Sequence, residues 1–298
     1  MRRTGWFTAA VIAAGLYSSA ASAGVWFEVL NAPCFSGNSF NQNPNPTNVT
    51  ASGAYAGSFD CFNRDFNGDG SRTTLSIKAF QVWEYGTMFL YYDVTDPWNS
   101  AVTGNSVPGI TSNELGGFFG GITVTISPKR VAEKIMGHEL KIPFLRDIEV
   151  KYELENVSKF GSLNYYGLQW SIDQSILDFL TVTTVIRDDL SFQGVDLQLG
   201  FAWQKSFSIA NQDFQFGGFL QWGVFGEGAH VTPIGPFDLP HGNPFMVSQP
   251  QLLYDVGKLA HFTPAKIYVG VEWQFAFNRY LIPAKSEHTL QYMLKWNI

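Results

Sequence analysis

The chain predicts an all-β fold, a transmembrane antiparallel β-barrel of about twelve strands with long extracellular loops, and three observations predict it. The first is alternation. In 266–277, Ile267, Val269, Val271, Trp273, Phe275 and Phe277 share one parity, while Lys266, Tyr268, Gly270, Glu272, Gln274 and Ala276 share the other. Strand side chains alternate faces, so one face is apolar and the other carries charge and amide. A run this long suits a tilted strand crossing a bilayer, which needs ~9–11 residues. The second is composition: aromatic residues make up 16% and charged residues 15% of the chain, against ~25% charged in a soluble domain. The third is that no later segment approaches the ~20 apolar residues of a spanning helix.

The start, Met1-Arg2-Arg3, an apolar run from Trp6 to Tyr17 and a small-residue stretch ending at Ala23, reads as a secretory signal peptide over 1–23. The barrel then occupies 24–298. Removing Arg2 and Arg3 leaves 17 basic against 25 acidic residues, a charge of −8. Such a surface does not suit a nucleic-acid partner. Segment 24–30 is a short strand. Segment 31–71, rich in Asn, Gly, Ser and Pro, is a long extracellular loop. It holds Cys34 and Cys61, which as an even pair in an exported chain read as a disulfide. Within it, 65–70 matches the front of a calcium loop, but Ser76 stands where the closing Glu belongs, so a turn is the simpler account and no metal is expected.

Strands 73–85 and 87–95 form a hairpin joined at Gly86, and 96–116 is a second polar loop. Strand 117–127 precedes 128–136, which can make one or two helical turns ended by Gly137. Strands 148–154, 163–173, 176–187, 192–207 and 214–225 follow, then the Gly/Pro/His loop 227–244. Pro250 interrupts 245–256, and a proline inside a strand removes a ladder donor. Strands 266–277 and 289–298 complete an even set of twelve, as a bacterial single-chain barrel requires. With both termini in the periplasm, the three long polar loops share the outer side; the long link 128–147 is an inner-side exception. In the last strand Leu290, Tyr292, Leu294, Trp296 and Ile298 alternate to the final residue, a pattern resembling substrates of the outer-membrane barrel assembly machinery.

Leu75-Ser76-Ile77-Lys78-Ala79-Phe80 with its hairpin to Asp93, Ile122 through Arg130 with Arg146-Asp147-Ile148-Glu149, and Tyr165-Tyr166-Gly167-Leu168 through Asp173 together resemble the nucleoside-specific channel-forming outer-membrane family, the Tsx-type proteins. The resemblance implies a twelve-stranded barrel of the bacterial outer membrane with a narrow pore for nucleosides and no cofactor. Segment 31–71 has no counterpart in it.

If the apolar parity meets lipid, the other parity lines the pore: Lys78, Phe80, Phe89, Tyr91, Asp93, Glu149, Lys151, Glu153, Tyr165, Asp173, Asp196, Phe219, Tyr268, Glu272 and Gln274. Aromatic rings beside carboxylates and amides suit a solute with a stacking base and hydroxyl donors, passing down its gradient with no chemical step. Three rivals stand beside that expectation. An outer-membrane hydrolase would need a serine–histidine–carboxylate grouping in space, although His138, His230, His241, His261 and His288 form no metal motif and no Gly-x-Ser-x-Gly occurs. A soluble periplasmic barrel would bury its apolar faces together. A surface or adhesin barrel would have a plugged, non-conducting lumen.

Overall fold

The computed structural model describes residues 23–32, 72–95, 118–157, 161–189, 195–225, 231–232, 235–236, 244–260, 262–277 and 286–298. The signal segment, both cysteines and the calcium-like 65–70 lie outside the described residues. Strands β1 (Ala23–Ala32), β2 (Arg72–Trp83), β3 (Gly86–Thr95), β4 (Phe118–Ile126), β5 (Leu145–Val157), β6 (Gly161–Ile172), β7 (Phe179–Asp189), β8 (Asp196–Ile209) and β9 (Gln212–Gly223) pair antiparallel, each with its successor. A two-residue hairpin, β10 (Val231–Thr232) with β11 (Gly235–Pro236), stands apart from this sheet, inside the expected loop 227–244. The sheet resumes with β12 (Phe245–Ser248), β13 (Gln251–Asp255), β14 (Ile267–Phe277) and β15 (Ser286–Asn297).

The sheet closes on itself, because β15 pairs with β14 on one side and β1 on the other. Pro250 explains why one stave carries two labels. It has no N–H to give the ladder, so one donor is missing there; the Gln249 amide still donates to the Phe219 carbonyl at 3.0 Å, the Pro250 carbonyl accepts from the Trp273 amide at 2.9 Å, and β12 and β13 keep one register against both β9 and β14. Counted as one stave, they make twelve, and closure leaves no exposed sheet edge.

At the end nearest the chain termini the links are short, apart from the segments between β4 and β5 and between β13 and β14. The β2–β3 turn is Glu84–Tyr85, and Gly86 is the first residue of β3 rather than the hinge. A Cβ at Gly86 would lie 1.9 Å from the Thr125 carbonyl oxygen, so glycine is needed for strand contact, not for turning. Ala210 and Asn211 form the two-residue β8–β9 turn with φ of 50° and 62°. Positive φ at both positions gives the twist that an antiparallel hairpin favours. β7 starts three residues later than expected, because Gln174 organises the preceding turn. Its Oε1 accepts from the Ile176 and Leu177 amides at 2.7 Å each.

Helix α1 (Pro128–Met136) follows β4 at this end. Ser127 caps it, accepting from the Arg130 amide at 3.0 Å, and Gly137 ends it at φ 71°. A single turn, α2 (Val256–Leu259), follows β13, with Asp255 accepting from the Lys258 amide.

The alternation holds in three dimensions. Along β14, Tyr268, Glu272, Gln274 and Ala276 are buried inside the barrel, while Val269, Trp273 and Phe277 face out, Trp273 being 47% exposed. Exposed Tyr92, Val150, Tyr152, Tyr166, Trp222, Leu252, Tyr292 and Trp296 carry the outer apolar surface around the circumference. The apolar faces do not meet in a dry common core. Among the described residues no helix is long and apolar enough to cross a membrane.

Candidate functional site in the barrel interior

An aromatic row runs along one side of the interior. Trp26 and Phe89 stack at 6.1 Å between centroids, Phe89 and Tyr91 at 5.6 Å, and Tyr91 meets Phe119 at 5.4 Å. Lys295 places its ammonium 5.0 Å from the Trp26 ring, an attraction between cation and ring quadrupole. Tyr91 extends across β4 because Gly121 has no side chain: a Cβ there would come within 2.9 Å of the Tyr91 ring and hydroxyl. The phenol then donates to Glu155 on β5. Tyr165 donates to the other oxygen of the same carboxylate at 2.6 Å.

Carboxylates accompany the rings. Glu28 accepts from Trp26 Nε1 at 2.8 Å and pairs with Lys78 Nζ at 2.5 Å. Ser76 donates to Asp93. Lys151 pairs with Glu153 at 2.7 Å. Glu272 accepts from Gln251 at 2.6 Å and from Gln291 at 3.0 Å, and Gln291 also reaches Gln274 at 3.4 Å. Low polarity inside the wall makes each of these bonds expensive to leave unmade, which is why nearly every buried acid has a donor.

The end nearest the termini has its own polar floor. Arg130 reaches in from α1, with Nε donating to Asp147 at 2.8 Å and its guanidinium 3.7 Å from Glu149. It also donates to the Gly86 carbonyl at 3.2 Å, while Ser127 donates to Asp147 at 2.5 Å. At the opposite end the Arg187 guanidinium sits 4.8 Å above the Phe245 ring, and Asp196 accepts from the Phe225 amide at 2.9 Å.

Of the expected pore residues, Lys78, Phe80, Phe89, Tyr91, Asp93 and Lys151 are partly exposed on the inward face. Glu149, Glu153, Tyr165, Asp196, Tyr268, Glu272 and Gln274 also point inward but are buried in side-chain packing. Phe219 packs on Phe245, Val247 and Ala276, and Tyr268 joins Leu30, Leu253 and Met293, so these two help fill the interior. Asp173 is the exception. It lies past the end of β6, in the link to β7, and pairs with Arg146 at 3.2 Å.

Residues not anticipated are Trp26, Glu28, Phe119, Glu155, Arg130 and Arg187. Glu155 continues the parity of Glu149, Lys151 and Glu153 one step beyond the expected strand end, so extending that parity would have found it. Trp26 and Glu28 share a parity in the segment read as the short strand 24–30, whose inward face was not assigned. Arg130 lies on the helix, where no strand rule applies.

No family model and no curated protein sequence matches the chain. Among solved structures it is similar to the β-domain of the Bordetella autotransporter BrkA, at 10% identity and a TM-score of 0.32, covering 93% of this chain and 98% of that one. It is also similar to the translocator domain of the autotransporter NalP from Neisseria meningitidis, at 8% identity and a TM-score of 0.29, covering 98% and 94%. Superpositions this loose say nothing about activity, so the functional reading rests on the chain's own geometry.

Proposed function

We propose that the chain is a bacterial outer-membrane barrel whose narrow interior passes small, neutral, polar aromatic solutes, nucleosides being the class that fits best. The observation that supports this most is the Trp26–Phe89–Tyr91–Phe119 row beside Glu28, Asp93 and Glu155. A base can stack along the row while ribose hydroxyls donate to carboxylate oxygens. Stacking contributes ~1–3 kcal/mol per base, enough to select a solute without trapping it. Acids outnumber bases on the inward face, and their field disfavours anions such as nucleotides. The partners are outer-membrane lipid and, during biogenesis, the barrel assembly machinery.

Planar-bilayer recording tests this. Expected are small conductance steps reduced by added nucleoside but not by equal nucleotide, with Tyr91→Ala weakening the nucleoside effect roughly tenfold. Steps indifferent to nucleoside would refute the selectivity.

A second reading is a non-conducting barrel. Asp196, Glu149 and Glu272, at 0%, 1% and 3% exposure, favour it, because inward groups packed this closely leave little open cross-section. It predicts no conductance steps at all.

A further inference from the structure

Helix α1 sits on the barrel by its charged face. Arg130 is bonded to Asp147 and to the Gly86 carbonyl at the start of β3, Lys134 pairs with Glu84 at 2.5 Å, and Lys129 donates to the Arg146 carbonyl at 2.9 Å. A surface helix ordinarily turns its apolar stripe inward. Here Ile135 and Met136 of that stripe are left outside, Ile135 80% exposed, while Val131 is half-buried. In the link back to β5, Phe144 is 84% exposed and held at φ 64°, a backbone region that bulky residues rarely adopt. Its carbonyl accepts from the Asp173 amide at 2.9 Å, which ties this conformation to the neighbouring link.

Other links at the same end expose large apolar side chains: Ile176 before β7, Ile209 at the end of β8 and Phe262 after α2. They belong to different staves, so they run round the rim instead of forming one patch. A docked protein covers a sector; a lamellar surface touches every sector together. The rim also continues the apolar outer wall, since Ile126, the exposed last residue of β4, directly precedes the helix cap.

We propose that α1 is an interfacial membrane anchor. Its charged face is clamped to the barrel, while Ile135, Met136 and Phe144 lie at the headgroup–acyl boundary of the leaflet next to the chain termini. An amphipathic helix gains binding there from its buried apolar area. The occupant of this face is lipid, and the inference rests on the membrane-barrel reading above.

The test uses the full chain in phosphatidylcholine–phosphatidylglycerol vesicles, with photoreactive benzoylphenylalanine replacing Ile135, Phe144 or, as a wall reference, Trp273. These outward side chains are not part of the Arg130 or Lys134 contacts. Irradiation and mass analysis should find phospholipid adducts at Ile135 and Phe144 with yields of the same order as at Trp273. Lipid adducts at Trp273 but none at the two rim positions, or cross-links there to a second copy, would overturn the anchor and leave the barrel reading standing. Loss of lipid adducts at Trp273 as well would overturn both.

Discussion

Glu155 concentrates the chemistry of the interior into one carboxylate held by two phenols, those of Tyr91 and Tyr165. Tyr91→Phe removes one donor and keeps the ring, so stacking should persist while stability falls by about 1.5–3 kcal/mol, the usual range for a hydrogen bond to a charged group. Urea unfolding from vesicles measures it. Gly121→Ala acts on the same contact from the opposite side, since its Cβ would meet the Tyr91 ring. Arg130 is the other residue on which much depends. Arg130→Ala leaves Asp147 and Glu149 buried near each other without their shared cation. Full burial would make that loss ~3–5 kcal/mol, and the partial exposure of Arg130 lowers the expectation to about 2–3 kcal/mol. Trypsin should then cut the segment around α1 in folded protein, whereas unchanged protection would show that Arg130 does not hold the helix.

At the scale of elements, the solvent-exposed Lys134–Glu84 pair adds to the hold on α1, and pH should show it. The hydrogen bond from Lys134 holds the Glu84 carboxyl below the ordinary glutamate range, while the same bond raises Lys134. A depressed carboxyl contributes above its unfolded pKa and loses that contribution as pH falls through the folded value. A raised ammonium contributes below its unfolded pKa and loses it as pH climbs through the folded one. The clamp should therefore hold between roughly pH 4.3 and pH 10.4 and weaken beyond both limits. Amide exchange in α1 across pH reads this, once corrected for intrinsic exchange rates; a flat protection profile would contradict it. The β8–β9 turn offers a second test. Ala210 carries positive φ without being glycine, so Ala210→Gly should raise stability by about 0.5–1 kcal/mol in urea unfolding.

Over the whole molecule, the parity of side chains was the legible part. Trp273 out and Glu272 in follow from period two alone, as do the twelve staves and their antiparallel order. Closure between β1 and β15 was less visible, because the sequence marks only 24–30 of the ten-residue β1, and its inward Trp26 and Glu28 matter only once Phe89 and Lys78 stand beside them. The structure places the expected interior residues other than Asp173 on the inward face, about half of them buried in side-chain packing. Whether Tyr268 faces an open lumen or packs on Leu253 and Met293 depends on strand tilt and the opposite wall, which no local pattern encodes. Asp173 was misplaced for a related reason: alternation carries on past a strand's end on paper, while Gln174 folds the chain away. Arg130 stayed hidden because a helix outside the barrel supplies an interior group.

The described strands turn apolar side chains outward and join an aromatic row to acids inside, and on this the proposal of nucleoside passage rests. Proteoliposome uptake tests that claim most directly. Vesicles carrying the protein should admit labelled nucleoside far faster than protein-free vesicles and should exclude the corresponding nucleotide. Nucleoside entry no faster than through bare lipid would contradict the account.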